Sequence, residues 1–386
     1  MKMTNFLIFF TIVFVLYSLV NFYVFIRGLQ ALPKIPVIRI SYSVIFIALY
    51  LAYLIGRILE RIQQGIVSNI LIWCGSFWMA AVIYFLLIII ILDIVRGINS
   101  TTPIYPSFAT FYYGATKLAF FIVSVLLVSL ILYVGYKNSN EINLHTQVIK
   151  IDKPAAEISE INIAFASDIH LGTVVDDEKL QKIVSLLNSV KPDVIIFGGD
   201  LLDEDVTKLE ENNSAEPLKQ LSAKYGIYGV TGNHEYIGGI EKAIPFIEKH
   251  NITLLRDTSY LIANTFYLIG REDKEKSRFT GQPRKKLTDL LRDVDKSLPL
   301  ILIDHQPSEI EEVVKNKIDL QISGHTHNGQ FFPINLIVKL IYEFPYGYHK
   351  KQNTQFFIST GAGTWGPPIR IMAPPEVVLL KVKFGN

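Results

Sequence analysis

Five short strings in the second half of the chain carry side chains that can bind metal ions and move protons. They are Asp168-Ile169-His170, Gly198-Gly199-Asp200, Gly232-Asn233-His234-Glu235, Asp304-His305 and Gly324-His325-Thr326-His327. Carboxylate, amide and imidazole groups of this kind hold divalent cations. Two such cations about 3.5–4 Å apart can hold both the attacking and the leaving oxygen of a phosphoryl displacement. The strings therefore predict a two-metal site for phosphoryl chemistry.

The spacing within the strings suits such a site. Asp168 and His170 are two residues apart, so both can turn toward one metal where a strand opens into a loop. Two glycines before Asp200 leave room for close backbone approach, and its carboxylate can bridge two cations. His325 and His327 flank one residue, which places both imidazoles on one side of an extended segment.

Asn233 and His234 are a further candidate pair, in which the amide oxygen can bind a metal and the neighbouring imidazole can face a substrate.

One string alone is a weak signal, because a lone His is more often structural than a ligand. Five of the eight histidines lie inside the strings, and this joint occurrence favours a site. The other three, predicted to be solvated or structural, are His145, His250 and His349.

The elements that must position these residues alternate between strand and helix. Strands are predicted at 161–167, 194–197, 228–230, 300–303, 320–322, 356–359 and 377–382, and helices at 176–190, over much of 205–224, at 239–249 and at 308–316. Asp168, Asp200, His234, His305 and His325 each follow a predicted strand. Alternation of this kind is typical of an α/β domain, in which the loops after the strands form the active-site edge.

The first part of the chain is strongly apolar. Its uncharged runs predict four transmembrane helices, near 4–26, 39–58, 66–92 and 115–136. A cleaved signal peptide is the alternative for the first, disfavoured by its length and the lack of a cleavage pattern. A buried helical core is the alternative for all four, disfavoured by the absence of a polar face. We expect a transmembrane domain at 1–137, a linker and first strand at 138–160, and the α/β domain at 161–386.

The net charge differs between the apolar first part of the chain and the second part. Residues 1–137 hold nine Lys/Arg and two acids, so the remaining 28 basic and 33 acidic residues lie in 138–386. The second part is therefore net −5, which argues against nucleic acid as a partner. Basic residues flank both ends of the spans, so the sequence predicts a multi-pass protein of the cell membrane without fixing the side of the α/β domain. Cys74 stands alone, so no intrachain disulfide can form.

The five strings, in this order, resemble the pattern of the calcineurin-like metallophosphoesterase superfamily over nearly all of 161–386. Leu171-Gly172 after the first histidine, and a tail with Gly361, Gly363, Arg370 and Pro375-Glu376, are similar to its bacterial membrane-associated branch. The resemblance implies two packed mixed β-sheets flanked by helices, here behind a multi-span helical membrane domain. That membrane domain lies outside the superfamily core.

The resemblance also implies residue roles. One metal would lie on Asp168, His170, Asp200 and His327, and the second on Asp200, Asn233, His305 and His325, with Asp200 and a hydroxide bridging them. His234 would be the general acid for the leaving oxygen or a clamp on the phosphoryl group. Arg370 is a candidate phosphate contact, the alternative being a structural pair with Glu376. The two divalent ions are Mn, Fe or Zn, because mixed Asp, Asn and His ligands suit all three.

The leading interpretation is a membrane-bound, metal-dependent hydrolase in which a dimetal-bound hydroxide attacks a phosphoester or phosphoanhydride. The bilayer favours a lipid-linked substrate, and a UDP-linked acylated sugar pyrophosphate, which some relatives cleave, is the first specific expectation. The alternatives are an anchored hydrolase of soluble phosphoesters, and a membrane sensor or scaffold with a regulatory phosphoesterase domain. Apolar residues at 331–340 either line an acyl-chain groove, face the membrane or pack in the core.

Overall fold

A computed structural model describes residues 3–63, 65–106, 113–154, 158–203 and 205–385. The chain divides into two units, Met1–Gly135 and Tyr136–Asn386. Each unit has its own apolar packing, and the candidate ligands all belong to the second.

The first unit is built from long helices. They are α1 (Met3–Ala31), α2 (Pro36–Ile62), α3 (Ile66–Thr101) and α4 (Tyr113–Asn140), the last of which ends in the second unit. Among the described residues, these four are long and apolar enough to cross a bilayer. A helix satisfies its own backbone hydrogen bonds, as a lipid environment requires. The prediction of a multi-pass membrane protein is confirmed, and each helix is longer than its predicted apolar run.

Small residues bring the membrane helices close together. A Cβ at Gly75 of α3 would lie 2.2 Å from the backbone nitrogen of Tyr53 on α2, so only glycine fits at this crossing. Between α1 and α3, the indole nitrogen of Trp78 donates to the side-chain oxygen of Asn21 over 2.9 Å.

The second unit alternates strands and helices. In chain order its elements are β1 (Asn143–Ile151), β2 (Glu160–Ala166), α5 (Asp177–Ser189), β3 (Val194–Phe197), α6 (Thr207–Glu211), β4 (Ile227–Gly229), α7 (Asn233–Gly238), α8 (Ile240–Glu248), β5 (Thr253–Leu254), β6 (Thr258–Ile262), β7 (Phe266–Gly270), α9 (Lys276–Thr280), α10 (Leu287–Leu290), β8 (Leu300–Ile303), α11 (Ile310–Lys315), β9 (Leu320–Ser323), α12 (Ile334–Ile341), β10 (Gly347–Lys351), β11 (Thr354–Ile358) and β12 (Glu376–Phe384).

The strands form two six-stranded mixed sheets. Their orders are β1-β12-β2-β3-β4-β5 and β10-β11-β9-β8-β7-β6. Side chains of both sheets, such as Ile196 and Ile303, share one buried core between them. The outer face of the first sheet packs on α5 and α8 through residues such as Leu180 and Phe246, and α10 and α11 cover the second. The predicted fold of two packed mixed sheets flanked by helices is confirmed.

The predicted helix over much of 205–224 is wrong. Only α6 and a short 3-10 turn at Glu216–Gln220 are helical there. Asn213 and Ala215 adopt positive φ angles of 50° and 75°, which a continuous helix does not allow. Pro217 comes two residues after Ala215 and lacks the amide hydrogen that a helix interior needs.

Candidate metal centre

The candidate ligands gather where parallel strands of both sheets end. In the first sheet, β2, β3 and β4 run parallel and lead into Asp168, Asp200 and Asn233. In the second sheet, β8 and β9 run parallel and lead into His305 and His325. The carboxyl ends of parallel strands lie at one edge of a sheet, so each sheet presents its ligands on short loops at that edge.

Tight backbone turns set the orientation of the candidate ligands. Five of the seven predicted ligands have φ between 47° and 69°, the left-handed region that residues other than glycine rarely adopt. They are Asp168, His170, Asp200, His325 and His327. Each such residue costs about 1–3 kcal/mol of backbone strain, and strain of this kind concentrates at functional sites.

The first cluster joins Asp168, His170 and His327, whose candidate ligand atoms all lie within 4.8 Å of one another. The Nε2 atoms of the two imidazoles are 3.1 Å apart. Nε2 of His327 lies 3.5 Å from Oδ1 of Asp168. The backbone amide of His325 donates to the Asp168 carboxylate at 2.9 and 3.0 Å and fixes its orientation.

The second cluster joins Asp200, His305 and His325 within the same limit. Nδ1 of His305 donates to the carbonyl oxygen of Gly198 over 2.8 Å, which leaves Nε2 as the ligand atom. That Nε2 lies 3.2 Å from Oδ2 of Asp200, and the same oxygen is 3.9 Å from Nε2 of His170. The Asp200 carboxylate therefore stands between the two clusters, where a bridging ligand belongs.

The side-chain oxygen of Asn233 indicates whether a cation fits this set of donor atoms. Its Oδ1 atom is buried and has no hydrogen-bond partner among the described residues. A buried amide oxygen without a partner costs about 1–3 kcal/mol. Together with one shared carboxylate and imidazoles that keep a free nitrogen, this oxygen gives a donor set that fits two divalent cations.

Burial and neighbouring charges shift the pKa values of these groups in different directions. Burial raises the pKa of Asp168, which opposes the carboxylate form that binds a cation. Burial opposes the charge of Asp200 as well, but the imidazoles of His305 and His234 hold its pKa well below the usual range. Burial lowers the pKa of His325 to about 3, and burial with the Arg370 charge lowers that of His327. Both imidazoles are therefore neutral, as metal ligands must be.

His234 lies beside the first cluster. Its Nδ1 donates to the carbonyl oxygen of Asp203 over 2.6 Å, so Nε2 is the atom left for a substrate. Its ring centroid is 4.6 Å from that of His170 and 6.0 Å from that of Trp365. Burial opposes the charged form, but Asp200 and Asp203 raise the pKa of His234 above its ordinary value. An imidazole that holds its proton near neutral pH can serve as a general acid.

Arg370 is buried against His327 and the carbonyls of its own loop, and its role as a phosphate contact stays a prediction. The side chain is 0 % exposed. Its guanidinium donates to the backbone carbonyls of Gly363, Thr360 and Ala373, and Nη2 lies 3.0 Å from Nδ1 of His327. The alternative pairing with Glu376 is absent from its hydrogen bonds. Arg370 instead holds the 360–373 loop against His327.

Two acidic residues near the centre were not assigned roles from the sequence. Oδ1 of Asp203 lies 3.5 Å from Nδ1 of His170. The Glu235 carboxylate accepts from the backbone amides of Asp200, Leu202 and Gly232, which joins the loops after β3 and β4. Glu235 lies inside one predicted string and Asp203 three residues after another, and these positions were the available signal. Asp304, within a string, instead pairs with Arg271 and Arg284.

The three histidines outside the strings also lie outside both clusters. His145 contacts Glu376 at 3.1 Å, Nδ1 of His250 donates to Phe246 O over 2.8 Å, and Nε2 of His349 donates to Tyr346 O over 2.8 Å. These local partners give each of them a structural role.

Comparison with known proteins places this geometry in context. The family model described as calcineurin-like phosphoesterase matches residues 161–329. An uncharacterized metallophosphoesterase of Aquifex aeolicus is 31% identical over 249 residues, which cover 62% of this chain and 94% of that protein. An uncharacterized metallophosphoesterase of Campylobacter jejuni is 29% identical over 394 residues, with 98% and 99% of the two chains covered.

A third relative is an uncharacterized metallophosphoesterase of Helicobacter pylori, 34% identical over 242 residues. The match covers 61% of this chain and spans 62% of the length of that relative. The family model spans all seven candidate ligands, and the Campylobacter match, with 98% of this chain, extends over the membrane helices as well.

Proposed function

The chain belongs to the calcineurin-like phosphoesterase family, and from this premise we propose that it is a membrane-bound, metal-dependent phosphohydrolase. The family's centre is dinuclear, and the two clusters can each hold one ion. The proposal rests above all on the Oδ1 atom of Asn233, which is buried without a partner among the described residues beside a carboxylate shared by both clusters.

The chain's own residues have separate tasks in this proposal. Asp168, His170 and His327 would hold one cation, and Asn233, His305 and His325 would hold the other. Asp200 lies near the imidazoles of both clusters and could serve both ions. Bound divalent cations lower the pKa of water and neutralise charge that develops on a phosphoryl group.

His234 acts on the leaving group. Its Nδ1 proton is held by the Asp203 carbonyl, so in the protonated imidazole the Nε2 proton is the one that would be given to the departing oxygen. General acid catalysis of this kind contributes roughly 10²–10⁴ to the rate. Asp203 positions the imidazole and supports its charge.

We propose a lipid-linked phosphate as the substrate, of the kind that a UDP-linked acylated sugar pyrophosphate represents. The four membrane helices keep the enzyme at a bilayer. Trp365, with its ring centroid 6.0 Å from that of His234, offers an apolar surface at the centre and is 54% exposed. Both features favour an amphiphilic molecule over a freely soluble phosphoester.

Hydrolysis by the full-length protein in detergent tests the activity. The substrates are p-nitrophenyl phosphate, bis-p-nitrophenyl phosphate and a lipid pyrophosphate, each with added Mn²⁺ or with a chelator. We expect metal-dependent turnover that Asp200→Asn abolishes and that His234→Ala lowers by roughly 10² or more. His349→Ala is the matched control, because this imidazole lies outside both clusters, and it should keep the parent rate.

The outcomes separate the alternatives. Faster hydrolysis of the lipid pyrophosphate supports the lipid-linked substrate, whereas preference for the soluble esters favours an anchored hydrolase of soluble molecules. Absence of both bound metal and turnover would contradict the enzyme proposal and favour a sensor or scaffold.

A further inference from the structure

Helix α12 carries an apolar face that no described part of the protein covers. Leu336, Ile337, Leu340 and Ile341 are exposed, and Leu340 is 87% exposed. On this helix Asn335 is the buried residue. The interpretation of 331–340 as ordinary core therefore holds for Phe331 but fails for Leu336 and Ile337 on the helix face. Apolar residues one, four and five positions apart form a continuous stripe on a helix.

A loop joined to the segment before α12 adds two more exposed apolar side chains. The side chain of Gln330 donates to the carbonyls of Trp365 and Pro367 at 3.0 and 2.6 Å, and its own carbonyl accepts from the amide of Ile371 over 3.0 Å. The loop also exposes Trp365 and Met372, the latter 69% exposed. We call these six side chains the apolar rim: Leu336, Ile337, Leu340, Ile341, Trp365 and Met372.

The same loop is fixed to the end of the last membrane helix. Ser139 Oγ donates to the carbonyl of Pro368 over 3.0 Å, and Asn138 Nδ2 donates to the carbonyl of Arg370 over 3.2 Å. The uncharged run of α4 ends at Tyr136. At about 1.5 Å per residue, Ser139 lies about 5 Å along the helix axis beyond that run. The loop that carries part of the rim is therefore tied to the last turn of α4, just beyond the uncharged run of this helix.

We propose that the apolar rim inserts into the interfacial layer of the leaflet from which α4 emerges. Contiguous exposed apolar surface is unfavourable in water, and Trp beside aliphatic residues suits the interface. Lys339 on the same helix can reach lipid phosphates. Trp365 contacts His234, and Arg370 of the same loop contacts His327. Insertion thus holds the metal centre at the bilayer surface.

Site-specific labelling of the full-length protein tests this contact. In a Cys74→Ser background, Leu340→Cys and Met372→Cys each receive an environment-sensitive fluorophore, and the protein is placed in phosphatidylcholine nanodiscs with or without lipids that carry a nitroxide near the headgroup. Lys182→Cys, exposed on α5, is the matched control. Both rim labels should show blue-shifted emission that nitroxide lipids quench, whereas the control label should be quenched by aqueous iodide.

The result that would overturn the proposal is iodide quenching at Leu340 and Met372 equal to that at Lys182. Blue-shifted emission without quenching by nitroxide lipids would also overturn it, because a second copy or another protein would then cover the rim. The measurement needs no turnover. Lipid contact in a protein that hydrolyses nothing would sustain this inference while the proposed activity failed.

Discussion

Replacing Asn233 should change stability in opposite directions with and without metal. Asn233→Ala removes an amide oxygen that is buried without a partner among the described residues, which should stabilise the metal-free protein by about 1 kcal/mol, the low end of the cost of such a group. If the oxygen is a ligand and its loss weakens metal binding about 100-fold, saturating metal stabilises the variant by about 2.7 kcal/mol less than the parent. The net change with metal is a loss of about 2 kcal/mol.

Thermal unfolding in detergent, followed with a chelator and with saturating Mn²⁺, measures both values. For a domain of this size about 1 kcal/mol shifts Tm by about 2–4 °C. We expect Asn233→Ala to unfold about 2–4 °C above the parent with chelator and about 4–8 °C below it with Mn²⁺. Asn162→Ala is the matched control. Its Oδ1 is also buried without a partner among the described residues, and it lies in the first half of β2, away from the ligands.

The control should shift Tm equally with and without Mn²⁺. Equal shifts for Asn233→Ala under the two conditions would refute the reasoning, because the oxygen would then make no contact with a metal. A lower Tm with chelator would show that the oxygen has a partner in the metal-free protein.

Three further variants test other parts of the centre. Gly324→Ala should contain less bound metal when measured by elemental analysis, because its Cβ would lie 2.2 Å from Oδ2 of Asp168. Gly97→Ala is the control and should keep its metal, because there is open space around Gly97. Arg370→Lys should lower the free energy of unfolding by about 3 kcal/mol or more, since an ammonium does not reproduce the guanidinium fork between carbonyls. An unchanged Tm with a raised KM would instead support Arg370 as a phosphate contact. Burial raises the pKa of Asp273 to about 7 in the folded protein, above an unfolded value of about 3.9. The contribution of Asp273 to the free energy of unfolding is therefore full below about pH 4 and is lost as pH rises through 7. Asp273→Asn should therefore gain in Tm over the parent between pH 5 and 8, whereas a constant difference would contradict this.

Local signals in the sequence determined much of the architecture. Long uncharged runs predicted the membrane helices, because a helix that crosses lipid needs about 20 apolar residues whatever surrounds it. Short apolar segments followed by Gly, Asp and His predicted strands that end at a site. The structure brings six of the seven candidate ligands into two clusters at those strand ends, and Asn233 follows β4 at the same sheet edge. Their assignment to two metals stays a prediction for the measurements above.

Other features depended on residues far apart in the chain. Arg370 has the residue type of a phosphate contact, yet carbonyls of Gly363 and Thr360 enclose it, and no local pattern carries that information. The helix expected over 205–224 was interrupted at Ala215, where the backbone turns into the left-handed region.

The apolar segment at 331–340 shows most clearly which features the sequence predicts and which depend on tertiary structure. Its composition fits a core helix, a substrate groove or a membrane contact equally well. The exposure of Leu340 rules out core packing for this side chain, and the membrane contact is the proposal that the labelling experiment tests. The sequence determined which residues are apolar and which can bind metal, since these are properties of single side chains. Only the tertiary structure decided which of them are covered and what each one faces, because burial depends on neighbours that the chain brings together from distant positions.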